Sequence, residues 1–304
     1  PPNGYVLSGH GAARDWMQRY VTVGATVVLD GTPVPDPTPG PDPTPGPDPT
    51  PGPASAREIA VYKMMWPQNG PTLGSLPGAV NVVRLAFAQG SPPGLVGWGS
   101  QGRESALADL AALRARGVAI MVSIGGEGGG FNVSDHAGFA AGIASIAGSL
   151  GGIDGIDWDL EAGAFAGSDL VAIGQDLAAS YDGFGFSFAP NGGNLGAYLP
   201  VAAEYERLGL LSSYGQQFYD SPVTSSAAAS RIREAIDRGI PIGKIAVGMM
   251  IGDNSAKYWS GPTCRANMAT LITMFPGLRR AYLWEASRPG TSQWATDMDQ
   301  VIPR

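Results

Sequence analysis

Histidine and cysteine are nearly absent from the 304 residues, which hold only His10, His136 and Cys264. A lone cysteine excludes an intrachain disulfide and a cysteine-based zinc site, and two histidines leave few candidates for a histidine-centred triad. Charge is also sparse. Charged residues make up 15 % of the chain, 19 basic against 26 acidic for a net −7, and no basic cluster gives the electrostatic footprint of a nucleic-acid binder. No stretch approaches the roughly 18 unbroken apolar residues of a membrane span. Neither nucleic acid nor membrane is therefore expected as a partner, and a monomer is expected. Carboxylates are left as the leading carriers of chemistry, in a chain whose 44 % hydrophobic content can fill a sizeable core.

Glycine and proline are plentiful, at 45 and 26 residues. Residues 35–40, 41–46 and 47–52 each read Pro-Asp-Pro-Thr-Pro-Gly, followed by Pro53. Alternating proline forbids both a helix and a sheet ladder, so residues 33–53 are expected to form an extended spacer, roughly 60 Å long at about 3.1 Å per residue. Spacers of this kind commonly tether modules in secreted polysaccharide-degrading enzymes, and an extracellular location is expected on that ground. Before the spacer, residues 1–32 contain the strand-like run 20–29 but are too few to enclose a core alone; they read as a short β-rich segment or the tail of an upstream domain. The sequence opens at Pro1 without Met or a cationic apolar leader, the form of a processed product or a fragment.

From residue 54 to 304 the pattern is regular. Runs rich in Val, Ile, Phe and Tyr recur near 59–66, 80–88, 118–125, 153–161, 184–190, 211–219, 245–251 and 281–286. Helical periodicity falls between many of them, at 105–116, 134–149, 168–181, 225–238 and 265–275. Eight strands alternating with helices over about 250 residues predict a (β/α)₈ TIM barrel. Alternation alone does not show closure, so a doubly wound sheet is the alternative.

The fourth run, Ile153-Asp154-Gly155-Ile156-Asp157-Trp158-Asp159-Leu160-Glu161, carries the chemistry. Side chains alternate along a strand, so Asp157, Asp159 and Glu161 share one face and Ile156, Trp158 and Leu160 the other. In a barrel the apolar face meets the helices, while the three acids point inward and climb toward the C-terminal mouth, where barrel enzymes place their active sites. Like charges at this spacing predict that at least one acid holds or shares a proton, and a protonated outermost Glu161 would suit a general acid. A solvated acidic strand end and an oxygen cage for Mg²⁺ or Ca²⁺ are the alternatives.

Asp154-Gly155-Ile156-Asp157-Trp158-Asp159-Leu160-Glu161 resembles the Asp-Gly-x-Asp-x-Asp-x-Glu hallmark of glycoside hydrolase family 18, the chitinases and their relatives. Ser123-Ile124-Gly125-Gly126 is similar to the family's Ser-x-Gly-Gly on the preceding strand. Gln217-Phe218-Tyr219-Asp220 resembles its Gln-x-Tyr-Asn/Asp on the sixth, and Trp284 takes the place of the tryptophan flooring the sugar pocket. The resemblance covers residues 54–304. It implies a retaining, substrate-assisted hydrolase in which the sugar's 2-acetamido oxygen is the nucleophile. Glu161 would then protonate the glycosidic oxygen, Asp159 would orient the acetamido group, and Asp157 would tune Asp159 by sharing a proton. Tyr219 would donate to the acetamido carbonyl and Gln217 would help to hold the sugar. No metal or organic cofactor is implied.

Asp220, Ser123 and Phe87 complete the candidate substrate contacts, with a tight strand-to-loop turn as the alternative reading of Ser123, and Trp66, Trp98, Trp259 and Tyr214 are divided between cleft and packing. His136, at a helix start, reads as surface. Chain-end-processing chitinases often insert an α+β domain after the seventh strand, yet only about 30 residues separate Ile251 from Tyr282. An open, endo-acting chitinase on β-1,4-N-acetylglucosamine polymers or oligosaccharides is the leading expectation. An endo-β-N-acetylglucosaminidase cutting the N-glycan chitobiose core carries the same acids. A chitin-binding lectin on the same barrel is the third reading, disfavoured because such relatives typically lose the terminal acid that is present here as Glu161.

Overall fold

The computed structural model describes residues 57–66, 70–126, 133–161, 165–219, 223–252 and 261–304. The expected N-terminal segment and Pro-rich spacer lie outside these residues, as do Asp220 and Trp259. Eight parallel strands form the wall: β1 (Glu58–Met64), β2 (Val82–Gln89), β3 (Ala119–Gly125), β4 (Gly155–Asp159), β5 (Gly185–Phe188), β6 (Leu211–Gln217), β7 (Ile245–Met249) and β8 (Arg280–Leu283). Each pairs with the next in sequence, and β8 pairs with β1, which pairs with β2, so the sheet closes on itself. Closure decides for the barrel over the doubly wound sheet. A two-residue strand, Gly94–Leu95, adds an antiparallel flap to β2.

Helices follow the strands: α1 (Arg103–Ala115), α2 (His136–Leu150), α3 (Gly167–Ser180), α4 (Leu195–Arg207), α5 (Ser225–Asp237), α6 (Gly261–Met274) and α7 (Thr291–Val301). Between wall and helices lies an apolar layer built from the outward residues of each strand. Ile156 and Trp158 of β4 are fully buried there, and the Trp158 ring packs on Phe139 of α2 with centroids 5.3 Å apart. Tyr214 belongs to this layer as well, because it alternates with the inward Ser213 and Gly215; it is a packing residue.

Inside the wall the lower layer is polar. Glu58, Arg84, Ser187, Ser213 and Arg280 are buried there, and aromatic rings occupy the levels above. The Tyr282 ring reaches across the barrel because β6 and β7 carry glycine beside it. A Cβ on Gly215 or Gly248 would lie 2.5 or 2.3 Å from that ring.

Candidate active site

The acidic strand is anchored before its acids begin. Asp154 Oδ2 accepts from the Ile120 amide at 2.7 Å, pinning β4 to β3. Gly155 is required next, because a Cβ there would come within 2.1 Å of the Gly185 carbonyl oxygen. Strand alternation then turns Asp157 and Asp159 into the barrel, both buried, while Glu161 emerges half-buried beyond the strand end. The three expected acids thus rise from the interior to the mouth.

Asp157 meets donors on both oxygens. Its Oδ2 accepts from Tyr62 Oη at 2.7 Å and Ser123 Oγ at 2.8 Å, and its Oδ1 accepts from Ser187 Oγ at 2.5 Å with Arg84 Nε at 3.4 Å. Asp159 is different. Burial, reinforced by the adjoining charges of Glu161 and Asp157, raises its pKa well above the ordinary carboxylate value. The neutral form resolves the like-charge conflict by donating to Glu161, with which Asp159 is hydrogen-bonded. The shift favours the protonated form of Asp159, with its proton directed toward Glu161. Burial is the reason: Asp159 is enclosed while Glu161 reaches water.

Gln217 ties the two acids together. Its Nε2 lies 3.0 Å from Asp159 Oδ1, 2.8 Å from Glu161 Oε1 and 3.0 Å from the Ala189 carbonyl. Tyr219 is buried beside Gln217, and its hydroxyl donates to that of Tyr282, which donates to the Gly215 carbonyl at 3.1 Å. Burial and the nearby acids push the Tyr219 pKa well up, so its proton stays available for donation.

Three rings line the mouth. Phe87 lies between Trp66, at a centroid distance of 6.0 Å, and Trp284, at 5.5 Å, each pair nearly parallel at 22°. Trp66 and Trp284 are half-buried and keep apolar surface for a sugar face, whereas Phe87 is buried. A Cβ on Gly126, whose φ is +78°, would come within 2.3 Å of Phe87, so the Ser-x-Gly-Gly turn presses directly on that ring. Phe87 is accordingly placed as a support for the two tryptophans. Ser123, in the same turn, is fully buried and donates its hydroxyl to Asp157. Trp98 is half-buried with the Arg103 guanidinium over its ring at 5.5 Å, and His136 pairs with Asp169 at 3.2 Å on the helical layer.

Sequence reasoning missed several residues of this site. Tyr62, Ser187 and Arg84 sit singly in hydrophobic strand runs and acquire meaning only when closure brings them to Asp157. Tyr198 and Asn194 of α4 hold the backbone between Asp159 and Glu161: the Leu160 amide donates to Tyr198 Oη, and Asn194 Nδ2 donates to the Leu160 carbonyl at 3.0 Å. Among the described residues no group of three or more His, Cys, Asp or Glu is placed to hold a metal ion.

No family model and no curated protein sequence matches the chain. Solved structures do. A putative chitinase A from Streptomyces coelicolor superposes with a TM-score of 0.70 at 21 % identity, covering 81 % of this chain and 98 % of that one. The barrel has the family 18 chitinase fold. A family GH18 chitinase from Chromobacterium violaceum shares this fold at TM-score 0.68 and 20 % identity, over 81 % of this chain and 84 % of its own. So does a fungal endo-beta-N-acetylglucosaminidase of glycosyl hydrolase family 18, at 0.63 and 17 %, over 81 % and 98 %.

Proposed function

We propose that the chain is a secreted family 18 glycoside hydrolase, an endo-acting chitinase that cleaves β-1,4-N-acetylglucosamine linkages with retention of configuration. The observation that carries this reading is the Asp159–Glu161 pair, hydrogen-bonded to each other and bridged by Gln217, with one carboxyl buried and the other half-buried at the mouth. Glu161 reaches the mouth, where a glycosidic oxygen can accept its proton. Moving the shared proton from Asp159 to Glu161 arms the acid and leaves negative charge on Asp159, below the place where a cation develops.

The nucleophile is the one that the resemblance to family 18 implies, the substrate's own acetamido oxygen. A two-carboxylate retaining mechanism needs a second carboxylate facing the first. Opposite β4, the inward positions of β8 and its end are Tyr282 and Trp284. Among the described residues the three acids of the ladder lie on one side, an arrangement that accords with that nucleophile. Trp284 supports the sugar ring by stacking, and the Tyr219 hydroxyl can turn from Tyr282 to the acetamido carbonyl. The oxazolinium ion is then opened by water that Glu161 deprotonates.

Incubation with chitin oligomers and, separately, with a high-mannose glycoprotein, with products read by mass spectrometry, tests the reading. Cleavage of the oligomers is expected. Release of glycan from the glycoprotein with no action on oligomers would assign the endo-β-N-acetylglucosaminidase activity instead. Glu161→Gln should lose about 10²–10⁴ in turnover while still binding oligomers, and binding by the wild type without any cleavage would overturn the enzymatic reading.

A further inference from the structure

Below the acid ladder the barrel holds a second charged group. Arg84 is buried at 1 % exposure. Its Nη2 donates to Glu58 Oε1 at 2.6 Å and to Ser213 Oγ at 3.0 Å, and its Nε lies 3.3 Å from Ser187 Oγ and 3.4 Å from Asp157 Oδ1. The other oxygen of Glu58 accepts from Arg280 Nη1 at 2.7 Å. The guanidinium carbon sits over the rings of Tyr62 and Tyr282, at 5.4 and 5.3 Å, and Nη1 is buried without a hydrogen-bond partner. A buried cation costs on the order of several kcal/mol unless its partners are well placed, and two of this cation's four polar contacts run upward to Asp157 and its partner Ser187.

Resting on the proposed hydrolase, we infer that Arg84 is a positioning residue, the fixed counter-charge that keeps Asp157 a pure acceptor so that the ladder's one proton stays between Asp159 and Glu161. The charges count out to this result. As formal charges, Glu58 and Asp157 balance Arg84 and Arg280, so the lower layer brings no net charge to the two upper acids. The groups facing Asp157 from each neighbouring element agree. Tyr62 from β1, Ser123 from β3 and Ser187 from β5 are neutral donors, and Tyr282 from β8 is a neutral phenol. Among the described groups in contact with Asp157, Arg84 is the cation. Its charge also opposes the rise in the Asp159 pKa, whereas Glu161 and Asp157 promote it.

The test is signed. Arg84→Met removes a positive charge below the ladder, so a second proton should enter the acids at higher pH. Glu58→Gln removes a negative charge from the same layer and should do the reverse. The acid limb of kcat/KM on chitin oligomers should move up by about one pH unit in R84M, a roughly tenfold loss on the acid side with little change near pH 8. It should move down in E58Q and return toward the wild type in R84K. The carboxyl carbons of ¹³C-labelled Asp and Glu, titrated by NMR in the free protein, should shift in the same directions. Limbs that do not move, that move together in R84M and E58Q, or activity lost equally at every pH would overturn the assignment. If R84M does not fold, E58Q and the charge-balanced double variant E58Q/R84M decide, the latter with titrations near the wild type. A wild type that cleaves nothing would defeat the proposed function, while the NMR titrations would still decide the role of Arg84.

Discussion

Asp159 is where charge, burial and chemistry meet in one side chain. Its raised pKa means that folding buries a neutral acid more readily than a charged one. The native state binds more protons than the unfolded chain between the two pKa values, so stability from this site is present at low pH and is lost as pH rises through the folded-state value. Asp159→Asn keeps the shape and removes that charge. The variant should melt higher than the wild type at alkaline pH, by roughly 2–4 °C for each kcal/mol relieved, with the difference vanishing toward pH 4 in a calorimetric series. Its turnover should fall by about 10²-fold or more, because a neutral amide cannot balance a developing cation. A mild effect on turnover would mean that the acetamido oxygen is not the nucleophile. Residues of this kind were legible in sequence because alternation alone puts three acids on one face. Tyr62, Arg84 and Ser187 were not, because a single polar residue within a strand run reads the same whether it meets solvent or a carboxylate.

At the scale of the element, α4 does more than cover the wall. Its first turns supply Asn194 and Tyr198, which grip the Leu160 peptide from both sides and so set the direction in which Glu161 leaves the strand. Tyr198→Phe would leave the buried Leu160 amide without an acceptor, which costs about 1–3 kcal/mol. A lower melting temperature and reduced kcat with little change in KM are expected; a change in KM alone would show that the clamp acts on substrate binding instead. The sequence gives little sign of this helix, because Pro200 stands inside it and proline ordinarily ends a helix. It survives here because Tyr198, Leu199, Val201, Ala202 and Tyr205 are all buried against the barrel and α3. The strands were easier to read. All carry β-branched or aromatic residues, β6 (LSSYGQQ) only Tyr214, and Gly155 and Gly125 are fixed by close approach to the backbone carbonyls of Gly185 and Asp159.

Over the whole molecule, closure of the sheet was the property that local pattern could not supply, since eight alternating units are equally compatible with an open sheet. The pairing of β8 with β1 and β1 with β2 settles it and defines one open end for the site. At that end only residues 250–260 connect β7 to α6, too few to hold an added domain. On the proposed function, a connection of that length would leave the cleft open on that side for a polymer to enter sideways. Early digests of long N-acetylglucosamine chains should contain oligomers of mixed length, and disaccharide as the dominant first product would refute the endo mode. On the proposed mechanism fully deacetylated polymer should be cut poorly, since it lacks the acetamido group. The aligned rings of Trp66, Phe87 and Trp284 carry one more consequence: they equip the protein with its own optical reporter. A pyranose laid on Trp284 displaces water from the indole, so intrinsic emission should brighten or shift blue on occupancy, and the bound state can be followed without a label.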